Sequence, residues 1–250
     1  MDKVLEIENL EVGYKTGHPL YPAFNANLSK GELVALTGPN GVGKTSLLKT
    51  LTGSLKPLSG KVLLFGEEIE HFNISKRSLL FSIVLTEQPD DTFMKVFDVV
   101  ASGRYPHINM FGRLNQNDCS IIEQSLAMVG ANNLINRTFV SLSDGEKQKV
   151  MIAKSLAQDT PILFMDEPMA FLDFTSKIEM MDILEKLALE QKKTILFSSH
   201  DLDMLLRYNS SMWMVAPNRT IITGKTQQLA TSGLIDEYFD IPKDKRFRQQ

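Results

Sequence analysis

The sequence predicts an α/β fold built on a mainly parallel sheet, with an antiparallel β subdomain and an inserted helical subdomain. Three observations predict it. Apolar strands (ELVALT, PILFMDEP, KKTILFSSH) alternate with helical patterns, the order that gives a parallel sheet covered on both faces. ELVALT runs straight into the glycine-rich loop GPNGVGKTS at 38–46 and then into a helix. Between about 91 and 158 the strand pattern yields to helical periodicity, as expected of a lobe inserted between two strand-rich parts.

In chain order, KVLEIENLEVGY at 3–14 mixes apolar and charged residues in loose alternation and reads as an exposed antiparallel strand. FNANLS (24–29) and ELVALT (32–37) read as two strands around a Lys30–Gly31 turn. KTSLLKTLTG reads as a helix stopped by Gly53. GKVLLFGEEI at 60–69 is expected to be one strand between glycines. LLFSIVLTEQ at 79–88 is expected to be a buried strand with Gln88 at its exit. The helical lobe then comprises VFDVVASG, NDCSIIEQSLAMVG and NNLINR. EKQKVMIAKSLAQ at 146–158 carries Val150, Ile152, Ala153, Leu156 and Ala157 at helical spacing. PILFMDEP is a short buried strand, 175–191 a helix, KKTILFSSH a strand and LDMLLRY a helix. SSMWMV and RTIITG form a closing hairpin.

Composition bounds the function. The chain has 250 residues, 43% hydrophobic and 23% charged, which fits a single domain able to bury a sizeable core. A formal net charge of -3 gives no reason to expect nucleic acid as the main partner. The single cysteine, Cys119, can make no intrachain disulfide, which fits a reducing compartment. The first residues, MDKVLEIENLEV, hold no apolar signal core, and no run reaches the ~18–20 apolar residues of a membrane span. A membrane role is therefore expected to be peripheral, through a partner.

Gly38-Pro39-Asn40-Gly41-Val42-Gly43-Lys44-Thr45, followed by Ser46, matches the phosphate-loop spacing G-x-x-x-x-G-K-[ST]. Glycines there let backbone N–H groups wrap phosphate oxygens. Lys44 is placed to reach the β- and γ-phosphates, and the Thr45 hydroxyl to bind Mg²⁺. PILFMDEP ends an apolar strand in two acids at the sheet edge where open α/β folds bind ligands. Asp166 is expected to hold Mg²⁺ and Glu167 to polarise an attacking water. His200, at the tip of KTILFSS, is expected to contact a γ-phosphate, and Gln88 the metal or water.

SLSDGEKQKV at 141–150 presents a second helix N-terminus suited to an anion. Ser143 and Glu146 form a capping-box pattern, which accounts for them structurally but leaves Gly145 without a reason.

Together these motifs resemble the ATP-binding cassette (ABC) ATPases over essentially the whole length. The order is Tyr14, the phosphate loop, Gln88, the helical lobe, LSDGE, FMDEP, AFLD at 170–173 and SSH at 198–200. The resemblance implies a phosphate-loop NTPase core that uses ATP and Mg²⁺. It implies that two copies pair head to tail in the ATP-bound state. Ser143, Gly145 and Glu146 of each copy then contact the ATP held by the other. It also implies that Tyr14 stacks on adenine, that Asp173 links the two sites, and that His200 and Glu167 serve as switch histidine and catalytic base. LSDGE departs from the usual LSGGQ at Asp144 and Glu146. Two unit charges ~6 Å apart at an effective dielectric of ~20 interact by roughly 3 kcal/mol, so Asp144 is expected to point away from the phosphate.

ASGRYPHINMFGRL at 101–114 looks like the subunits of iron-complex importers, which handle ferric siderophores, haem or cobalamin. That implies two transmembrane permease subunits, an external substrate-binding protein, and a seat on the cytoplasmic face of the membrane. A cassette ATPase of cluster assembly, or a slow nucleotide-gated regulator, are the competing readings.

Overall fold

The computed structural model describes residues 2–15, 18–86, 93–108, 112–208, 210–216 and 218–238. The chain forms two compact units, one of Met1–His71 with Thr194–Gln250 and one of Phe72–Lys193.

The first unit opens with β1 (Lys3–Glu11), β2 (Phe24–Ser29), β3 (Leu33–Thr37), α1 (Lys44–Leu51), β4 (Ser59–Leu64) and β5 (Glu67–Glu68). β1, β2, β4 and β5 form an antiparallel sheet in the order β2-β1-β4-β5. The expectation of an exposed first strand is corrected here. β1 is an inner strand paired on both sides, and Leu5, Ile7 and Leu10 are buried while its acids lie outward. The single strand expected at 60–69 is in fact a hairpin. Phe65 and Gly66 both take positive φ (51° and 82°), the pair of left-handed residues that a two-residue turn between twisted strands requires.

The second unit begins with a helix that sequence periodicity missed, α2 (Ile74–Leu80), capped where the Asn73 side chain accepts from the Lys76 N–H. It takes Leu79 and Leu80, so the strand expected at 79–88 shrinks to β6 (Phe81–Val84). Then come α3 (Val96–Ala101), a 3₁₀ turn at 102–107, α4 (Gln116–Met128), α5 (Asp144–Ala157), β7 (Ile162–Met165) and α6 (Phe174–Leu189). NNLINR gives only a short 3₁₀ turn, at 132–134. α3, α4 and α5 bury Val96, Val100, Ile122, Leu126, Val150 and Ala153. β6 and β7 are parallel, with Val84 opposite Met165.

The GRYP stretch is a staple in this unit. A Cβ on Gly103 would sit 2.2 Å from the Lys154 carbonyl oxygen, so only glycine lets the 3₁₀ turn pack on α5. Arg104 is buried. It donates from Nε to Asp118 Oδ1 (3.0 Å) and from Nη1 to the Ala157 carbonyl (2.8 Å), tying α4 to the end of α5. Tyr105 stays 67% exposed.

The chain returns to the first unit with β8 (Thr194–Ser198), α7 (Leu202–Leu205), β9 (Ser211–Val215), β10 (Ile221–Lys225), α8 (Thr226–Thr231) and α9 (Leu234–Tyr238). Here the strand order is β10-β9-β3-β8. β3 runs parallel to both neighbours, and the closing β9–β10 hairpin is antiparallel as expected. Every residue of β3, β8 and β9 is buried, which is why their sequences show unbroken apolar runs. Among the described residues no helix is long and apolar enough to cross a membrane.

Candidate functional site

The phosphate loop leaves the C-terminal end of β3, where Gly38 passes under β9. A Cβ at Gly38 would lie 2.7 Å from the Val215 carbonyl oxygen. Gly43 ends the loop and caps α1 with φ 107°, and a Cβ there would lie 2.8 Å from the Tyr21 hydroxyl. Gly41 also has positive φ (74°) but faces open space. The result is a concave run of backbone at a helix start, suited to oxyanions. Lys44 is buried and its ammonium donates to the carbonyls of Gly38 (3.1 Å) and Pro39 (3.3 Å), folded back along the loop. Thr45 is exposed on the first turn of α1.

Two further expected residues lie at the same sheet edge. Tyr14 and Ser46 share a hydroxyl–hydroxyl hydrogen bond of 2.8 Å, which holds the 66% exposed Tyr14 ring beside the loop. β8 is parallel to β3, and the Ser199 N–H donates to the Leu36 carbonyl (3.0 Å), so His200 leaves the sheet where the loop does. His200 is exposed.

The acid pair stands at the end of β7 in the second unit. The Asp166 N–H donates to the Val84 carbonyl (2.8 Å), and the Thr86 hydroxyl donates to the Asp166 carbonyl (2.8 Å). The backbone that presents the acids is thus held from both sides, with Asp166 only 7% exposed. Glu167 sits at φ 46°, a left-handed conformation that costs a non-glycine residue about 1–2 kcal/mol.

The LSDGE stretch starts α5. Ser143 is the N-cap: its Oγ accepts from the Glu146 N–H (3.3 Å), and Glu146 Oε2 accepts from the Ser143 N–H (2.9 Å). Arg137 donates to Glu146 Oε1 (3.1 Å). The Ser143 N–H above all, then its hydroxyl and Arg137, hold the Glu146 carboxyl below the usual range, so it is ionised and already paired with a cation. Arg137 was not singled out by sequence reasoning, because its partner lies nine residues away across a 3₁₀ turn. Asp144 is exposed on the first turn. Gly145 is helical, and a Cβ on it would meet only Ser176 Oγ at 3.6 Å and Leu172 at 3.8 Å, ordinary contacts. The same contacts show that this helix start lies against the 172–176 segment. There Asp173 caps α6 by accepting from the Ser176 N–H (2.8 Å), which holds its carboxyl below the usual range.

The structure therefore gathers Tyr14, 38–46 and His200 in one unit. In the other it brings 143–146 beside Asp173 and sets Asp166 and Glu167 on one strand end. Gln88 lies outside the described residues. Among the described residues no group of three or more His, Cys, Asp or Glu is placed to hold a metal ion. Thr45 offers a hydroxyl in one unit and Asp166 a carboxylate in the other, each a hard oxygen donor of the kind Mg²⁺ takes.

Comparison with known proteins places the fold and the family. Residues 22–170 match the family model described as ABC transporter. An uncharacterized ABC transporter ATP-binding protein of Methanocaldococcus jannaschii is 38% identical over 95% of this chain and 82% of its own. The iron(3+)-hydroxamate import ATP-binding protein of Bacillus subtilis is 33% identical over 95% of this chain and 88% of its own. Among solved structures, a metal-chelate type ABC transporter in an inward-facing conformation superposes with a TM-score of 0.83 at 27% identity, over 97% of this chain and 90% of that one. With its parallel strands, phosphate loop and antiparallel sheet, the chain belongs to the ABC transporter family, as one of its ATP-binding, ATP-hydrolysing proteins.

Proposed function

We propose that this chain powers import of an iron complex or cobalamin, working as a homodimer that closes over two ATP molecules and moves two permease subunits. Loop 38–46 holds the triphosphate, with Lys44 moving from the loop carbonyls onto the β- and γ-phosphates. Tyr14 stacks on adenine. Thr45, Asp166 and Gln88 hold Mg²⁺, which when bound neutralises charge on the phosphate oxygens. Glu167 accepts a proton from the attacking water, and His200 contacts the γ-phosphate. Ser143, Gly145 and Glu146 of the second copy complete the site, with Asp173 alongside. The 91–158 lobe docks on the permease at the cytoplasmic face of the membrane, and an external binding protein delivers cargo.

The observation that carries the two-copy reading is Gly145. The helix would accept alanine there without a clash, and alanine is the better helix former. A glycine where the fold would accept alanine suits close approach by something outside the subunit. The Glu146–Arg137 pair lessens the repulsion expected between that carboxylate and a phosphate.

Glu167→Gln tests the chemistry. We expect ATP hydrolysis to fall at least 100-fold while an ATP-bound dimer accumulates in gel filtration; unchanged hydrolysis would remove Glu167 from its role. Ser143→Arg should abolish that dimer. Cargo and partner are tested by co-purification: a multispanning permease supports import, and a stable complex with non-membrane proteins favours the cluster-assembly reading.

A further inference from the structure

Tyr21 is fully buried, and among the described residues its hydroxyl has no hydrogen-bond partner. The ring itself is well placed, edge-on to Phe24 with centroids 6.4 Å apart. A leucine or phenylalanine would supply that packing without a buried hydroxyl, whose lost solvation counts against folding. The hydroxyl is aimed at the phosphate loop: it lies 2.8 Å from where a Cβ on Gly43 would be. Thr37, the last residue of β3 before the loop, is likewise fully buried with an unpartnered hydroxyl. Two orphan hydroxyls thus flank a loop whose carbonyls at Gly38 and Pro39 are now served by the Lys44 ammonium. Once Lys44 serves phosphates, as the phosphate-loop reading has it, the carbonyls of Gly38 and Pro39 lose a charged donor. Burial pushes the Tyr21 phenol well up, only partly opposed by Arg219, so it keeps its proton and is a donor.

We propose that Tyr21 is a positioning residue for nucleotide binding: its hydroxyl, which has no partner among the described residues, donates to a backbone oxygen of the 38–45 loop when nucleotide is bound. The inference rests on the phosphate-loop reading. It adds a second contact, from beneath the loop, that stabilises the loaded form over the empty one.

Tyr21→Phe in the full chain tests it, with MgADP as the probe so that dimer formation does not enter. Without nucleotide the variant should melt at the wild-type temperature or above, because an orphan hydroxyl has been removed. With MgADP its Kd should rise about tenfold, equivalent to about 1.4 kcal/mol. An MgADP Kd within twofold of wild type overturns the proposal. Should Tyr21→Phe fail to fold, wild-type protein labelled with ¹³Cζ-tyrosine answers the question. The Tyr21 resonance, assigned by single Tyr→Phe changes at the four other tyrosines, should move on adding MgADP; a stationary resonance overturns the proposal. Lys44→Ala separates the two readings. Loss of MgADP binding there, with normal binding by Tyr21→Phe, leaves the phosphate loop standing and overturns the role of Tyr21. Normal binding by Lys44→Ala overturns both.

Discussion

The phosphate loop and the start of α5 are both glycine-containing helix entries suited to anions, yet their glycines have opposite causes. Gly38 and Gly43 are demanded from within: Val215 and Tyr21 leave no room for a Cβ, and Gly43 also needs positive φ. Gly145 has ordinary helical geometry and room to spare. The fold by itself demands Gly38 and Gly43, so these two say less about function than the motif match suggests. The signature glycine departs from structural need and so points outward. A glycine is informative about ligands in proportion to how little the fold itself requires it.

Four changes test that contrast, the largest first. Arg104→Ala removes one partner of a buried ion pair and should cost about 3–5 kcal/mol in urea unfolding. If it costs under 1 kcal/mol, the GRYP stretch is not an internal staple, and the division between inward- and outward-facing motif residues weakens. Gly43→Ala should cost about 2–3 kcal/mol and weaken nucleotide binding together with stability. Gly145→Ala should leave the isolated chain as stable as before, or up to about 1 kcal/mol more so, while ATP-driven dimerisation of Glu167→Gln is lost. Loss of stability at Gly145→Ala, with dimerisation retained, would erase the contrast.

The smallest effect concerns pH. The Asn115 backbone N–H holds the Asp118 carboxyl below its ordinary value, with Arg104 adding to it. A carboxyl with a lowered folded pKa contributes stability above its unfolded value near 4, and that contribution fades as pH falls through the lower folded value. Stability should therefore drop as pH falls below about 4. Asp118→Asn should flatten that drop, measured as urea midpoints at each pH.

Much of this molecule was legible in its residues. GPNGVGKTS and FMDEP marked themselves because phosphate chemistry fixes residue types at short spacing. The parallel strands were readable because burial on both faces leaves only apolar residues. The hairpin at Phe65–Gly66 was not, since Phe65 at positive φ carries no sequence signal. Nor was α2, whose residues are all at least partly exposed and so show no buried stripe. The inner position of β1 was hidden because its acids face solvent while both edges are paired.

By itself the sequence determined what is local: the loop that can wrap a phosphate, the capping box at Ser143, and the alternation of strand and helix. Only the tertiary structure decided which residues meet across long separations. It set Tyr14 on Ser46, Arg104 on Asp118, Gly145 beside Ser176, and the Tyr21 hydroxyl beneath Gly43. The physical reason is reach. Backbone propensity and hydrogen-bond spacing act over a few residues, whereas packing and buried polar pairing depend on which distant segments fold against one another.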